Sequence, residues 1–198
     1  MHAIQTLFCG AALFTLAACG DDNVPPAPPP ITPEEIPVTE APPPPAPSPA
    51  ATALRVDGFG DVRIGMTLAE AEGVLSTTMQ SDPPSEGSTC TYAFATQLPG
   101  MGFMLEEGVI VRIDVLDDSV KTPEGVGVGS SEADVLSIYG ARATVLPDKY
   151  DPMGKNVEVA ETNPRNPPLL YVFETDGTMV TDYRAGRVPQ VQYVEGCS

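Results

Sequence analysis

Residues 62 to 75 read VRIGMTLAEAEGVL, and residues 126 to 139 read VGVGSSEADVLSIY. The two stretches follow one script at a constant offset of 64 residues. In each, a glycine (Gly65, Gly129) precedes a hydroxyl residue (Thr67, Ser131) by two positions, and an acid (Glu70, Asp134) follows three positions later. At this spacing the hydroxyl accepts from an unpaired N–H in the first helical turn and the acid reaches back to the cap, so a helix is expected to start after each. The second box is the weaker, because Asp replaces Glu or Gln. Behind the caps, Ala71, Val74 and Leu75 match Val135, Ile138 and Tyr139, which predicts one apolar stripe on each of two short helices. Gly140 suits the C-terminal cap of the second.

Strand signals follow each helix. Cys90-Thr91-Tyr92-Ala93-Phe94 and Leu169-Leu170-Tyr171-Val172-Phe173 both set aromatic residues two apart, the period of a strand. Phe103-Met104-Leu105, a Glu107-Gly108 turn and residues 109 to 115 read as a hairpin. Its expected counterpart, shifted by 78, is residues 178 to 183, a turn at Ala185-Gly186 and residues 187 to 194. Val111, Ile113 and Val115 alternate with Arg112 and Asp114, and Val191 and Tyr193 alternate with Gln192, so one sheet face is expected to be dry and the other wet. Pro189 places its strand at an edge or on a bulge. The predicted fold is α+β, with two tandem repeats at about 58 to 118 and 122 to 198, each a short helix packed on an antiparallel sheet.

Outside this domain the composition changes abruptly. Residues 3 to 18, AIQTLFCGAALFTLAA, are apolar and uncharged, and they are too few to span a bilayer, which needs about 20. They sit where a signal peptide's apolar region sits, although only His2 precedes them and no Lys or Arg does. Leu16-Ala17-Ala18-Cys19 resembles the lipobox at which bacterial signal peptidase cuts before a lipid-modified cysteine. Residues 1 to 18 are therefore expected to be removed and Cys19 to carry acyl chains, palmitate among them, that hold the protein to a membrane. Gly20 after that cysteine favours the outer membrane, by analogy with enteric bacterial lipoproteins, and a periplasmic domain. Thirteen prolines fall within the 34 residues from Gly20 to Ala53. Such a stretch forms neither helix nor sheet and reaches at most roughly 80 to 100 Å as a tether.

All ten Lys and Arg residues and 22 of the 27 Asp and Glu lie after Ala53. An acidic balance of this size excludes nucleic acid as a partner, since phosphate recognition needs a basic stripe. Beyond Cys9, inside the export segment, and Cys19, the remaining cysteines are Cys90 and Cys197. Export to an oxidising compartment predicts one disulfide between them, worth at most about 4.7 kcal/mol for a loop of roughly 100 residues.

The unit of one helix followed by three strands, present twice behind Ile64-Gly65-Met66-Thr67 and Val128-Gly129-Ser130-Ser131, resembles the tandem domains of the beta-lactamase inhibitory protein family. It is also similar to the small outer membrane lipoproteins that assist barrel assembly. The resemblance covers about residues 58 to 198. It implies that Gly65 and Gly129 start the helices and that the exposed sheet face contacts another protein. The within-repeat disulfides of that family are absent here.

The catalytic inventory is short. The one histidine, His2, is discarded with the export segment, so Ser-His-Asp, Cys-His and histidine metal sites are excluded from the mature chain. No S-x-x-K or G-x-S-x-G motif occurs. Gly125-Val126-Gly127-Val128-Gly129 lacks the strand and glycine spacing of a phosphate loop and reads as a turn into a helix. Glu106 with Glu107 and Asp117 with Asp118 read as solvated turns, because adjacency does not place two carboxyls across a cleft. Asp148, Asp151 and Asn156 offer oxygens of the kind Ca²⁺ takes, but their spacing matches no EF-hand. No metal or cofactor is expected. Residues 147 to 168 hold five prolines and no strong periodicity, and long irregular loops are often functional. Tyr150, Met153 and Arg165 are its candidate binding residues. The function expected is a non-enzymatic, membrane-anchored envelope lipoprotein that binds another protein. The alternatives are a carrier of a small ligand, with a pocket between the repeats, and a carboxylate-based hydrolase.

Overall fold

The structure, a computed structural model, describes residues 52 to 163 and 165 to 197. Cys19, the expected export segment and all but the last two residues of the expected Pro-rich tether lie outside them. A minimal hairpin, β1 (Leu54–Arg55) with β2 (Gly58–Phe59), leads into helix α1 (Leu68–Leu75) and strands β3 (Met79–Ser81), β4 (Cys90–Ala95), β5 (Met101–Glu106) and β6 (Val109–Val115). Helix α2 (Glu132–Tyr139) precedes β7 (Ala143–Pro147), β8 (Lys155–Ala160), β9 (Leu169–Thr175) and β10 (Val180–Arg187). Strands β3 to β10 form one antiparallel sheet in the order β3-β4-β5-β6-β10-β9-β8-β7, open at β3 and β7. The fold is α+β, with one large sheet and two short helices packed on it. The expected separation into two repeat units with a sheet each gives way to this single sheet, because β6 and β10 pair with each other, from Val115 facing Tyr183 to Arg112 facing Gly186.

The strand order is symmetric about that seam. Each half puts its last strand at the centre and its first at an edge. In one half Gly65 N–H donates to the Ile110 carbonyl at 2.7 Å and Ile110 N–H to the Met66 carbonyl at 2.8 Å. In the other, Gly129 donates to Val180 and Val180 to Ser130, both at 2.9 Å. These bonds tie the residues ahead of each helix to the start of a central strand.

Both helix starts form as their spacing predicts. Thr67 accepts from Glu70 N–H, and Glu70 Oε2 accepts from Thr67 N–H at 2.8 Å, a complete capping box. Ser131 accepts from Asp134 N–H at 3.0 Å, but the shorter Asp134 takes only the Ser131 hydroxyl, at 2.7 Å. Gly140 is the second helix's C-cap. The apolar stripe is narrower than expected: Ala71, Val135 and Tyr139 are buried, whereas Val74 and Ile138 are exposed at equivalent positions. Two-turn helices lying flat on a sheet bury only the side directly beneath them.

Between helices and sheet lies the main core, with Phe103, Ile110, Ile113, Val115, Val157, Val159, Phe173 and Tyr183 at or near zero exposure. Phe173 stacks on Tyr183 at 5.3 Å between centroids and meets Tyr139 at 5.7 Å. The buried tyrosines keep their polar ends paired, as burial requires. Tyr139 donates to Thr122 Oγ1 or Glu124, Tyr171 to the Leu54 carbonyl and Tyr183 to the Val120 carbonyl. Burial raises all three phenol pKa values above the usual range.

Three sequence expectations are corrected. Ala185-Gly186 is no turn: β10 runs through it, and the hairpin turn lies at Asp176-Gly177, where Asp176 Oδ1 accepts from Thr178 and Met179 N–H, both at 2.8 Å. Gly186 is small for another reason. A Cβ there would lie 2.4 Å from the Val111 carbonyl oxygen and 2.7 Å from Arg112 Cα, where β6 carries a bulge and Val111 falls out of register. Second, the expected strand of residues 187 to 194 does not form: Arg187 closes β10, and the chain beyond it passes through Pro189 into a 3₁₀ turn at Gln190–Gln192. Third, the irregular loop of residues 147 to 168 contains β8, whose Val157 and Val159 alternate with Asn156 and Glu158 between proline-rich flanks.

Candidate functional site

The sheet face away from the helices is where the chain's polar side chains meet. Along β6 the residues expected to be wet are Arg112 and Asp114, and the structure sets Arg184 of β10 directly opposite Asp114, with Asp182 two residues before it on the same face. Yet Arg112, Asp114 and Arg184 are only 5 %, 7 % and 2 % exposed. What covers them is the chain's own end. After β10, residues 188 to 197 cross this face as a strap, bury Val191 completely and finish at the Cys90–Cys197 disulfide, Cα to Cα 5.3 Å. The disulfide forms as expected, but the strap it pins is not a strand.

The two central arginines hold the strap. Arg112 Nη1 donates to the Tyr193 carbonyl at 2.5 Å, and Arg184 Nε to the Val191 carbonyl at 2.7 Å. Gln190 donates to Glu106 at 2.5 Å and Gln192 to Glu158 at 2.8 Å, so strands on both sides of the seam contribute. Each arginine also keeps a carboxylate. Arg112 Nε and Nη2 donate to Asp114 Oδ1, while Arg184 Nη1 pairs with Glu174 and lies 3.7 Å from Asp182. A buried charge needs such a partner to be tolerable. Asp182 faces Glu174 directly across β9 and β10. Burial first, and then the negative Glu174, push the Asp182 carboxyl up to about 6, against the opposing pull of Arg184. Tyr92, desolvated and close to the negative Asp114, is pushed up to about 12. Among the described residues Asp114 Oδ2 is buried without a hydrogen-bond partner.

Chemically this is a closed network. Its arginines are spent on the strap and on carboxylates, and the carboxylates converge on one side of the sheet rather than across a cleft. A cleft of about 490 Å³ flanks the strap near the disulfide, bounded by Glu106, Tyr193 and the Lys149–Glu195 ion pair, 3.0 Å long. A smaller one of about 160 Å³ lies beside Asn156 and Arg184. Lys149 links strap and β7–β8 turn, making them one continuous surface.

Tyr150 and Met153 stand on that turn, 61 % and 72 % exposed. Val145 and Leu146 of β7 are exposed too, and with Met153 they border a shallow depression of about 270 Å³. Arg165 does not join them. It lies beyond the far end of β8, paired with Glu161 at 3.0 Å, so the expected single binding loop is two loops at opposite ends of one strand. The candidate Ca²⁺ oxygens serve the turn: Asp148 Oδ1 accepts from Tyr150 and Asp151 N–H, and Oδ2 from Asn156. Sequence reasoning missed Val145 and Leu146, whose strand is short and ends in proline. It also missed the Arg112 and Arg184 anchors; their shared signal, an Arg and an Asp two apart on each central strand, looks like an ordinary solvated face. Among the described residues no helix is long and apolar enough to cross a membrane.

The chain matches no known protein family and no curated protein. Among solved structures it is similar to the uncharacterized protein yfeY from Escherichia coli, with 18 % identity and a TM-score of 0.47 over 69 % of this chain and 100 % of that one. It is also similar to an extracellular protein containing a SCP domain from Bacillus anthracis, with 13 % identity and a TM-score of 0.42 over 63 % of this chain and 44 % of that one. At these values the likeness carries no argument about function. The resemblance to the beta-lactamase inhibitory protein and to the barrel-assembly lipoproteins is corrected by these findings: the similarities lie with other proteins, and the sheet is open, without barrel closure.

Proposed function

We propose that this chain is a membrane-anchored envelope lipoprotein, cut before Cys19, whose folded part is a non-enzymatic module that binds another protein through β7 and the β7–β8 turn. The apolar leader ending in Leu16-Ala17-Ala18-Cys19, the Pro-rich tether and the disulfide support export and anchoring. The absence of imidazole after the cut supports a binding rather than a catalytic role. One observation carries the choice of surface: Val145 and Leu146 on the sheet's outer strand and Met153 on the turn after it are exposed around one depression, with Tyr150 exposed on the same turn. Single exposed apolar residues are ordinary, but a contiguous group on an unpaired edge is what a recognition surface needs. An extended partner segment would add to β7, pairing its backbone and setting alternate side chains against Leu146 and Met153. Pro147 has no N–H to donate and confines the pairing to the residues before it.

The domain is further read as an internal duplication of one helix followed by four strands. Its support is the symmetric strand order, the two matched hydrogen-bond pairs and the two matched helix caps.

The test is site-specific photocrosslinking in cells. A photoreactive residue at Met153 should give one discrete adduct, and the same residue at Gly73, open to solvent on α1, should not. Tyr150→Ser with Met153→Ser should weaken capture of that partner. No adduct at 153, or the same adduct from both positions, refutes the proposal.

A further inference from the structure

Three of the ten cationic side chains of this chain of net charge −17 line one cleft of about 250 Å³: Arg63, from the loop between β2 and α1, Arg165, before β9, and Arg187, at the end of β10. Asp57 is the one acid on its wall. Among the described residues the Arg187 side chain makes no hydrogen bond and no ion pair, its backbone alone being paired, with Leu169. Its guanidinium lies over Gly65, where a Cβ would stand 2.8 Å from Nη2, and the φ of +100° at Gly65 is itself one that glycine tolerates. Arg63 donates through Nη1 to the Gly60 and Val62 carbonyls at 2.7 and 2.9 Å, contacts that orient it and leave its charge uncompensated. Arg165 is held by Glu161 and lies 3.9 Å from Asp57, which also accepts from Arg55 at 3.3 Å. Three guanidinium groups thus face two carboxylates.

The fold does not demand this arrangement. By the matched hydrogen bonds, the other half of the sheet places Gly127 where Arg63 stands and Asp117 where Arg187 stands. The same frame therefore builds with no arginine at either position. Arginine forks from several sides suit a tetrahedral anion, whose oxygens point out of any one plane, better than a carboxylate, whose acceptor sites lie in a single plane.

We propose that the Arg63-Arg165-Arg187 cleft binds a phosphate-class oxyanion, either free or as a lipid headgroup. The site is separate from the β7 surface, so its test leaves that reading untouched. Full-length chain is titrated calorimetrically with inorganic phosphate, and its flotation is measured with phosphatidylglycerol and with phosphatidylcholine vesicles. Saturable phosphate binding that weakens about ten- to hundred-fold in Arg187→Gln and in Arg63→Gln, but not in Lys149→Gln, supports a free anion. Arg187-dependent flotation confined to phosphatidylglycerol assigns the phosphate to a headgroup; a lipid anchor alone would act on both vesicle types and be indifferent to Arg187. The proposal is overturned if neither probe gives an Arg187-dependent signal, or if Lys149→Gln weakens binding as much. Unchanged circular dichroism of the variants separates lost binding from lost fold.

Discussion

Replacing Arg184 by methionine removes the cation that both holds the strap and separates two facing acids. Arg184 is 2 % exposed, gives Nε to the Val191 carbonyl, pairs with Glu174 and lies near Asp182. Breaking a buried pair from one side costs about 3 to 5 kcal/mol, because the remaining charge stays desolvated. Glu174 and Asp182 keep about a quarter of their side-chain surface in solvent, which lowers the expectation to about 3 kcal/mol at pH 7. A domain with roughly 5 to 15 kcal/mol of stability survives that loss. Urea unfolding followed by far-UV circular dichroism should show a midpoint lower by about 1 to 2 M. At pH 4 the loss should at least halve, since an acid without its arginine takes up a proton more readily and the repulsion disappears. Arg184→Lys should recover part of the charge term and little of the hydrogen bond to Val191. A loss below about 1 kcal/mol at pH 7, or one equally large at pH 4, would refute the view that this arginine compensates buried acids.

Asp182→Asn should stabilise the protein at neutral pH. The folded-state pKa of Asp182, about 6, lies above the ordinary 3.8, so the folded state holds the proton more tightly and stability falls as pH rises from about 4 through 6. The variant should be more stable by about 1 to 2 kcal/mol at pH 8, with no gain at pH 3.5, by thermal unfolding at both pH values. Gly186→Ala forces a methyl against the Val111 carbonyl and should cost about 1 to 3 kcal/mol, while Gly129→Ala, with open space at its Cβ, reports only the strain of its positive φ. Cys90→Ser with Cys197→Ser opens a loop of sequence separation 107 and should cost about 3 to 5 kcal/mol, a melting temperature lower by roughly 10 °C. Hydrogen exchange in that variant should rise first at Val191 and Tyr193, and uniform loss of protection would show that the strap is not a separable unit.

What could be read from the residues alone was whatever neighbouring residues decide. The helix starts at Thr67 and Ser131 depend on groups three residues apart, the Glu107-Gly108 hairpin on a turn, and β4, β5, β6 and β9 on period-two alternation. The cysteine pairing followed from counting. Other features depend on residues far apart in the chain. Ala185-Gly186 has a turn's composition, and only the bulged β6 lying against it shows why a glycine belongs in mid-strand. The acids and arginines of β6 and β10 have the alternation of a solvated face, and period two says nothing about whether water or another part of the chain lies above that face. Arg112 meets Tyr193 across 81 residues, and Arg63 and Arg187 come to one cleft from opposite ends of the domain. Local hydrogen bonding and side-chain period set the elements; the seam between β6 and β10, the buried charges beneath the strap and the arginine cleft were decided by tertiary structure, because long-range packing alone chooses which distant segments share a surface.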